Sequence, residues 1–148
     1  MSFTNLKYHI VFSTKNRRPW LSADVKERLV KYLGGIIRNL KGVLIEANGP
    51  QDHIHLACGV HPQTSISAFV RDVKANSTPW VRDEFADACD FAWQSEYAAF
   101  TVSQSQLPGV VEYIRSQVEH HRTMRFEEEL RLLLERHGIE FDERYLLR

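Results

Sequence analysis

Two histidines separated by one residue, His53 and His55, are the most chemically suggestive pair in the chain. On a strand, residues i and i+2 point the same way about 6.6 Å apart, so both imidazoles can lean onto one ion at bonds of about 2 Å. Further along, Tyr113 and Gln117 are four apart, the spacing that puts two side chains on one side of a helix. A tyrosine hydroxyl, with a pKa of about 10, is a poor nucleophile at neutral pH. A neighbouring cation that stabilises the phenolate and polarises a phosphate makes it a better one. The Gln117 amide oxygen is a hard ligand suited to completing a His-His site for Mg²⁺ or Mn²⁺. Brought together, these four side chains could cut a nucleic-acid strand and keep hold of one end.

No member of the set is specific alone. With seven histidines in 148 residues, chance supplies about 0.3 such histidine pairs. A hydrogen-bonded surface pair, a packing tyrosine and a solvent-facing glutamine would account for the same letters. His9, on the first strand, and His120 and His121, beyond Tyr113, are candidates for supporting the ligands or touching phosphate. Plain packing or a favourable position near a helix end fits them too.

The elements that would position these residues can be read from periodicity. Asn5 to Thr14 reads as a strand, followed by a basic loop, KNRRPW. Ser22 is a plausible N-cap for a helix from about Ala23 to Leu40, with Val25, Leu29, Leu33, Ile36, Ile37 and Leu40 as its apolar stripe. VLIEA is a short strand, and Asn48-Gly49-Pro50 is a turn. From Asp52 to Val60 the alternation is clean: Ile54, Leu56, Cys58 and Val60 face one way, and His53, His55, Ala57 and Gly59 the other. Small residues beside the two imidazoles predict an open shelf for a ligand. Thr64 to Lys74 reads as a second helix, 75–97 as irregular or partly helical, and Tyr97 to Ser103 as a strand. Pro108 suits the first turn of a helix running to about His121. A last helix begins at Thr123 and is closed by Gly138. The order predicts an α+β fold of the ferredoxin-like (RRM-like) kind: one antiparallel sheet with helices on one face, plus an extra C-terminal helix. Residues 1–148 are expected to form a single domain.

Composition excludes several classes. No apolar run is long enough to span a membrane, and the N-terminus lacks the order of a signal peptide. Cys58 and Cys89 have no CxxC spacing, so a reduced, cytoplasmic protein fits and a cysteine metal site does not. Net charge is zero but unevenly spread. Residues 1–41 carry nine lysines and arginines against two acids, a net of +7. Residues 127–148 carry four arginines against seven acids, a net of −3. A local basic surface is what phosphate binding needs. Lys15, Arg17 and Arg18, with Trp20 close by, suit phosphates and a stacked base. Lys74, Arg115 and Arg122 are further candidates for DNA contact, alongside Arg71; each also fits a solvated surface charge.

Four ordered blocks, YHIVFSTKNRRPWL, GPQDHIHLACGV, WQSEYAAFTVSQSQ and YIRSQVEHHRTMRFEEELRLLLERHGIEFDERYL, resemble the single-tyrosine HUH transposases of the insertion-sequence 200/605 type. The EHHR run and the C-terminal helix look more like the branch associated with repetitive extragenic palindromes. The resemblance covers nearly the whole chain and implies a mechanism. His53 and His55 would be the "HUH" histidines, Tyr113 the nucleophile and Gln117 the third protein ligand of Mg²⁺ or Mn²⁺. The metal would polarise the scissile phosphate of single-stranded DNA, and Tyr113 would form a 5′-phosphotyrosine link and release a 3′-hydroxyl. Rejoining would then need no ATP or other nucleotide cofactor. The resemblance also implies DNA hairpins or palindromes as partners and a homodimer in which one subunit's tyrosine can serve the other's histidines. It implies a bacterial, cytoplasmic location, at the nucleoid when bound to DNA. The alternative is a non-catalytic nucleic-acid-binding module of the same fold. Such a sheet usually shows exposed aromatics where this one carries His53, His55, Ala57 and Gly59. A small metal hydrolase would need a carboxylate base, and alternation points Asp52 away from the histidines.

Overall fold

The computed structural model describes residues 1–147, the last for its backbone alone. Four strands, β1 (Lys7–Ser13), β2 (Val43–Asn48), β3 (His53–Gly59) and β4 (Ala98–Val102), pair antiparallel in the order β2-β3-β1-β4. The two central strands are covered on both faces, which is why their buried residues run almost without a break.

One face is apolar. Helices α1 (Ala23–Asn39) and α2 (Ile66–Glu84) pack there. The Ser22 hydroxyl caps α1 by accepting from the Val25 N–H, and Ser65 caps α2 by accepting from Ala68. Val25, Leu29, Leu33 and Ile37 of α1 and Phe69, Val70 and Val73 of α2 meet Ile10, Phe12, Ile54, Leu56 and Cys58 of the sheet in one cluster. Helix α2 continues well past Lys74, where the sequence places its end, and carries Pro79 inside it. Tertiary packing outweighs the proline here. Val81 is fully buried beyond it, Trp80 stacks on Tyr32 at 4.5 Å, and the Ser77 and Thr78 hydroxyls donate to the carbonyls of Val73 and Lys74.

The histidine face is covered by the C-terminal third. The helix expected from Pro108 to His121 is broken at Ser116 into α3 (Leu107–Arg115) and α4 (Gln117–His120). Helix α5 (Phe126–Arg136) follows, and Gly138, at φ +67°, ends it as the sequence predicts. Phe126 and Leu133 join Val11 and Phe100 in a second, smaller apolar cluster. The architecture is the expected α+β, ferredoxin-like sheet with an added C-terminal helix. The open shelf is a misreading: His53 and His55 are 0 % exposed and Ala57 1 %, with side chains of α3, α4 and α5 meeting at the histidines. Among the described residues, no helix is long and apolar enough to cross a membrane.

Candidate metal and nucleophile site

The β2–β3 turn and the start of β3 fix where the histidines point. A Cβ at Gly49 would sit 2.2 Å from the His53 carbonyl oxygen, so the close approach there requires glycine. The Thr14 N–H donates to the Asp52 carbonyl, tying the head of β3 to the end of β1. In register, Val11 stands opposite His55 and Ser13 opposite His53. Helix α3 is fastened to β2 by the Asn48 amide donating to the Arg115 carbonyl, by an Arg115–Glu46 ion pair, and by buried Ile114. That anchorage carries Tyr113 over the histidine face. The break at Ser116 then turns Gln117 inward, where it is fully buried.

All of these groups converge on Glu129, which the sequence reading did not single out. One carboxylate oxygen, Oε1, lies 3.2 Å from His53 Nε2, 3.0 Å from His55 Nε2 and 2.9 Å from His121 Nε2. The Tyr113 hydroxyl donates to Oε2, as does the Gln117 amide at 2.9 Å. The ligand atoms of His53, His55, His121 and Glu129 lie within 4.8 Å of one another and could hold a metal ion. Gln117 Oε1 is buried with no hydrogen-bond partner among the described residues. An orphaned acceptor of that kind calls for an explanation, and a cation beside it is one.

Groups behind the ligands fix the rings. His53 Nδ1 lies 2.8 Å from Asp52 Oδ1, so alternation along the strand misplaces this carboxylate: it touches the site through the neighbouring ring. Phe126 stacks on the His53 ring at 4.1 Å. His55 Nδ1 lies 2.8 Å from His9 Nε2, the supporting place suggested for His9. His120 is further out, 3.8 Å from Glu129 Oε2.

Burial and hydrogen bonding set the protonation states. Burial drives the pKa of His9 down to about 3, helped by His55, and that of His55 down to about 4. Both rings are therefore neutral, as metal ligands and their supports must be. Burial also opposes charge on His53, but hydrogen bonds to Asp52 and Glu129 outweigh it and raise its pKa. Burial works against ionised Glu129 as well; His121, His53 and His55 outweigh it and hold the carboxyl well below the usual range. Burial, then the adjacent Glu129 carboxylate, pushes the Tyr113 phenol above its ordinary value. Without a cation, the site holds its tyrosine protonated.

The basic candidates mostly have partners within the chain. Arg17 pairs with Glu127, donates to the Leu146 carbonyl and lies over the Phe126 ring at 4.5 Å. Arg18 pairs with exposed Asp90, and Arg122 with Glu119. Lys74 donates to the carbonyls of Gln94 and Glu96, and burial lowers its pKa to about 8. Lys15 is exposed. Arg17 thus fastens the basic loop to α5. For Glu129 a sequence signal existed. It falls on the buried stripe of α5, three residues after Phe126 and four before Leu133, where an acid needs a reason to be.

The chain is similar to several known transposases. Residues 2–117 match the family described as "Transposase IS200 like". The transposase for insertion sequence element IS200 of Salmonella typhimurium is 33% identical over 128 residues, 80% of each chain. The ISDra2 transposase TnpA of Deinococcus radiodurans is 27% identical over 119 residues, covering 76% of this chain and 84% of that one. Among solved structures, a putative transposase from Deinococcus radiodurans superposes with a TM-score of 0.65 at 26% identity, over 78% of this chain and 93% of the other. A REP-associated tyrosine transposase bound to a REP hairpin shares the fold, with a TM-score of 0.60 at 16% identity over 82% of this chain and 71% of that one. With a family match over most of its length, a curated transposase at one-third identity and the same sheet, this chain belongs to the IS200-like transposase family.

Proposed function

We propose that this transposase nicks and rejoins single-stranded DNA through Tyr113, at a divalent cation held by His53, His55 and Gln117. The observation that carries the reading is the convergence, within one chain, of a phenol, two buried imidazoles and the buried Gln117 amide on one carboxylate, Glu129. The residues present fit a cation. Mg²⁺ or Mn²⁺ would supply charge neutralisation at a non-bridging phosphate oxygen and lower the cost of forming the phenolate.

The chain's own groups do the rest. Asp52 and His9 hold the two histidine rings by Nδ1, leaving Nε2 of each facing the site. The Tyr113 oxygen attacks phosphorus as the bond to the 3′ oxygen breaks. The phenol loses its proton, and the 3′ oxygen gains one. The phosphate ester persists as a 5′-phosphotyrosine, so a new 3′-hydroxyl can reverse the step without a nucleotide cofactor. A cleft lined by Ser105, Gln106, Arg136 and His137 opens onto Tyr113 between α3, β4 and α5 and gives the strand an approach.

Hairpin or palindromic DNA is the proposed partner, supported by the REP hairpin bound to the neighbour of the same fold. Lys15, Arg17, Arg18, Lys74, Arg115 and Arg122 are the proposed phosphate contacts, which would exchange their present partners for phosphate. A homodimer, as the resemblance implies, is compatible with this site but not required to assemble it. A bacterial cytoplasmic location, at the nucleoid when bound to DNA, goes with that proposed substrate. The test is a denaturing gel of protein with labelled hairpin-bearing single-stranded DNA and Mn²⁺. A shifted band that disappears with chelator or in Tyr113→Phe is expected. Hairpin binding with no such band would instead indicate a non-catalytic DNA-binding module.

A further inference from the structure

We infer that His121 and Glu129 are additional ligands of the same metal ion, so that α5 contributes to the metal centre instead of merely covering it. The inference rests on the functional reading above and extends it to two residues beyond position 117, where the family match ends.

Hydrogen bonding alone does not explain the cluster. A carboxylate oxygen has two lone pairs, yet three imidazole nitrogens surround Glu129 Oε1 at 2.9–3.2 Å. Serving it with three N–H donors would protonate Nε2 on all three rings. Ligand geometry accounts for the same distances. Bonds of about 2.1 Å put neighbouring ligands about 3.0 Å apart around an octahedron and about 3.4 Å apart around a tetrahedron. The burial pattern agrees: Glu129 is 1% exposed on an otherwise apolar helix stripe, and the His121 side chain is 8% exposed.

Three imidazoles and a carboxylate make a softer, more anionic site than two histidines and an amide. They favour Mn²⁺, Co²⁺ or Zn²⁺ over Mg²⁺. Glu129 would also couple the centre to the nucleophile, since its other oxygen accepts from Tyr113.

The rival account makes Glu129 a placeholder that must withdraw before metal enters, and the two differ in sign. Isothermal titration of the full chain with Mn²⁺ is the test. A ligand role predicts that Glu129→Gln and His121→Asn each weaken Mn²⁺ binding at least tenfold, with circular dichroism of the apoproteins unchanged. Unchanged or tighter binding in Glu129→Gln, with binding lost in His55→Ala, would overturn this inference and leave the functional reading standing. No Mn²⁺ or Zn²⁺ uptake by the natural chain would overturn both. Should the variants misfold, ¹⁵N-histidine spectra of the natural chain decide: adding Zn²⁺ must move the His121 ring nitrogen together with those of His53 and His55. A His121 signal that stays in place would refute the assignment.

Discussion

His9 offers a sharp test of how the site is held together, because the cost of replacing it should shrink as the pH falls. Burial lowers its pKa from 6.5 to about 3, and that of its neighbour His55 to about 4. Each group binds a proton more readily in the unfolded chain. Stability is therefore fully present above pH 6.5 and is lost as the pH falls towards the folded values. Each imidazole costs about 1.4 kcal/mol per pH unit in that window. From pH 6.5 to about pH 5 the loss is about 2 kcal/mol per ring and about 4 kcal/mol for both. His53 does not add to it: its raised pKa contributes stability that is complete below 6.5 and lost only as pH rises through its folded value. Glu129 begins to matter only below the ordinary carboxylate range, as the pH falls towards its folded value. At neutral pH, His9→Phe leaves His55 Nδ1 unpaired in a buried place and should cost about 1–3 kcal/mol. By about pH 5 the natural chain has lost about 2 kcal/mol that the variant never had to lose, so the gap should close to within about 1 kcal/mol. Urea denaturation in the presence of chelator, at about pH 7, 6 and 5, measures both curves. Parallel curves, separated equally at every pH, would show that His9 is not held neutral by its burial.

Three further outcomes follow from the geometry. Phe126→Ala removes a 7% exposed ring that stacks on His53 and lies beneath Arg17; it should cost about 3–5 kcal/mol in chemical denaturation and make α5 exchange amide hydrogens faster. Asp52→Ala takes away the carboxylate behind His53 and should weaken Mn²⁺ binding about 10–100-fold in calorimetry while leaving hairpin binding in chelator unchanged. Gly49→Ala must displace the His53 backbone, so both thermal stability and Mn²⁺ affinity should fall; a variant equal to the natural chain in both would contradict the tight turn described here.

Much of the fold was legible because local and global signals agree. The α1 stripe, the Ser22 cap, the alternation through β3 and the Gly138 stop each correspond to an observed feature. The sequence ends helix α2 too early because Ser77, Thr78 and Pro79 weaken the local signal, and only the burial of Val81 and the stacking of Trp80 restore it. The site was half legible. His53 and His55 announce themselves by strand spacing, and Tyr113 and Gln117 by helical spacing, although Ser116 puts the latter pair on separate elements. Glu129 was hidden among three consecutive glutamates, only one of which faces inward. Strand alternation points Asp52 away from the site but ignores that its neighbour's ring can reach back to it. The basic loop was legible as charge, but not as the clamp that Arg17 makes with Glu127 and Phe126, because the two ends of that contact lie over a hundred residues apart.

Whether Tyr113 carries the cleaved strand is decided by mass spectrometry of the protein after incubation with hairpin-bearing single-stranded DNA and Mn²⁺, followed by nuclease and protease digestion. A nucleotide remnant linked through phosphate to the peptide that contains Tyr113 is expected, with no such adduct in chelator. An adduct on another residue, or cleaved DNA with no protein adduct, would contradict that role for Tyr113.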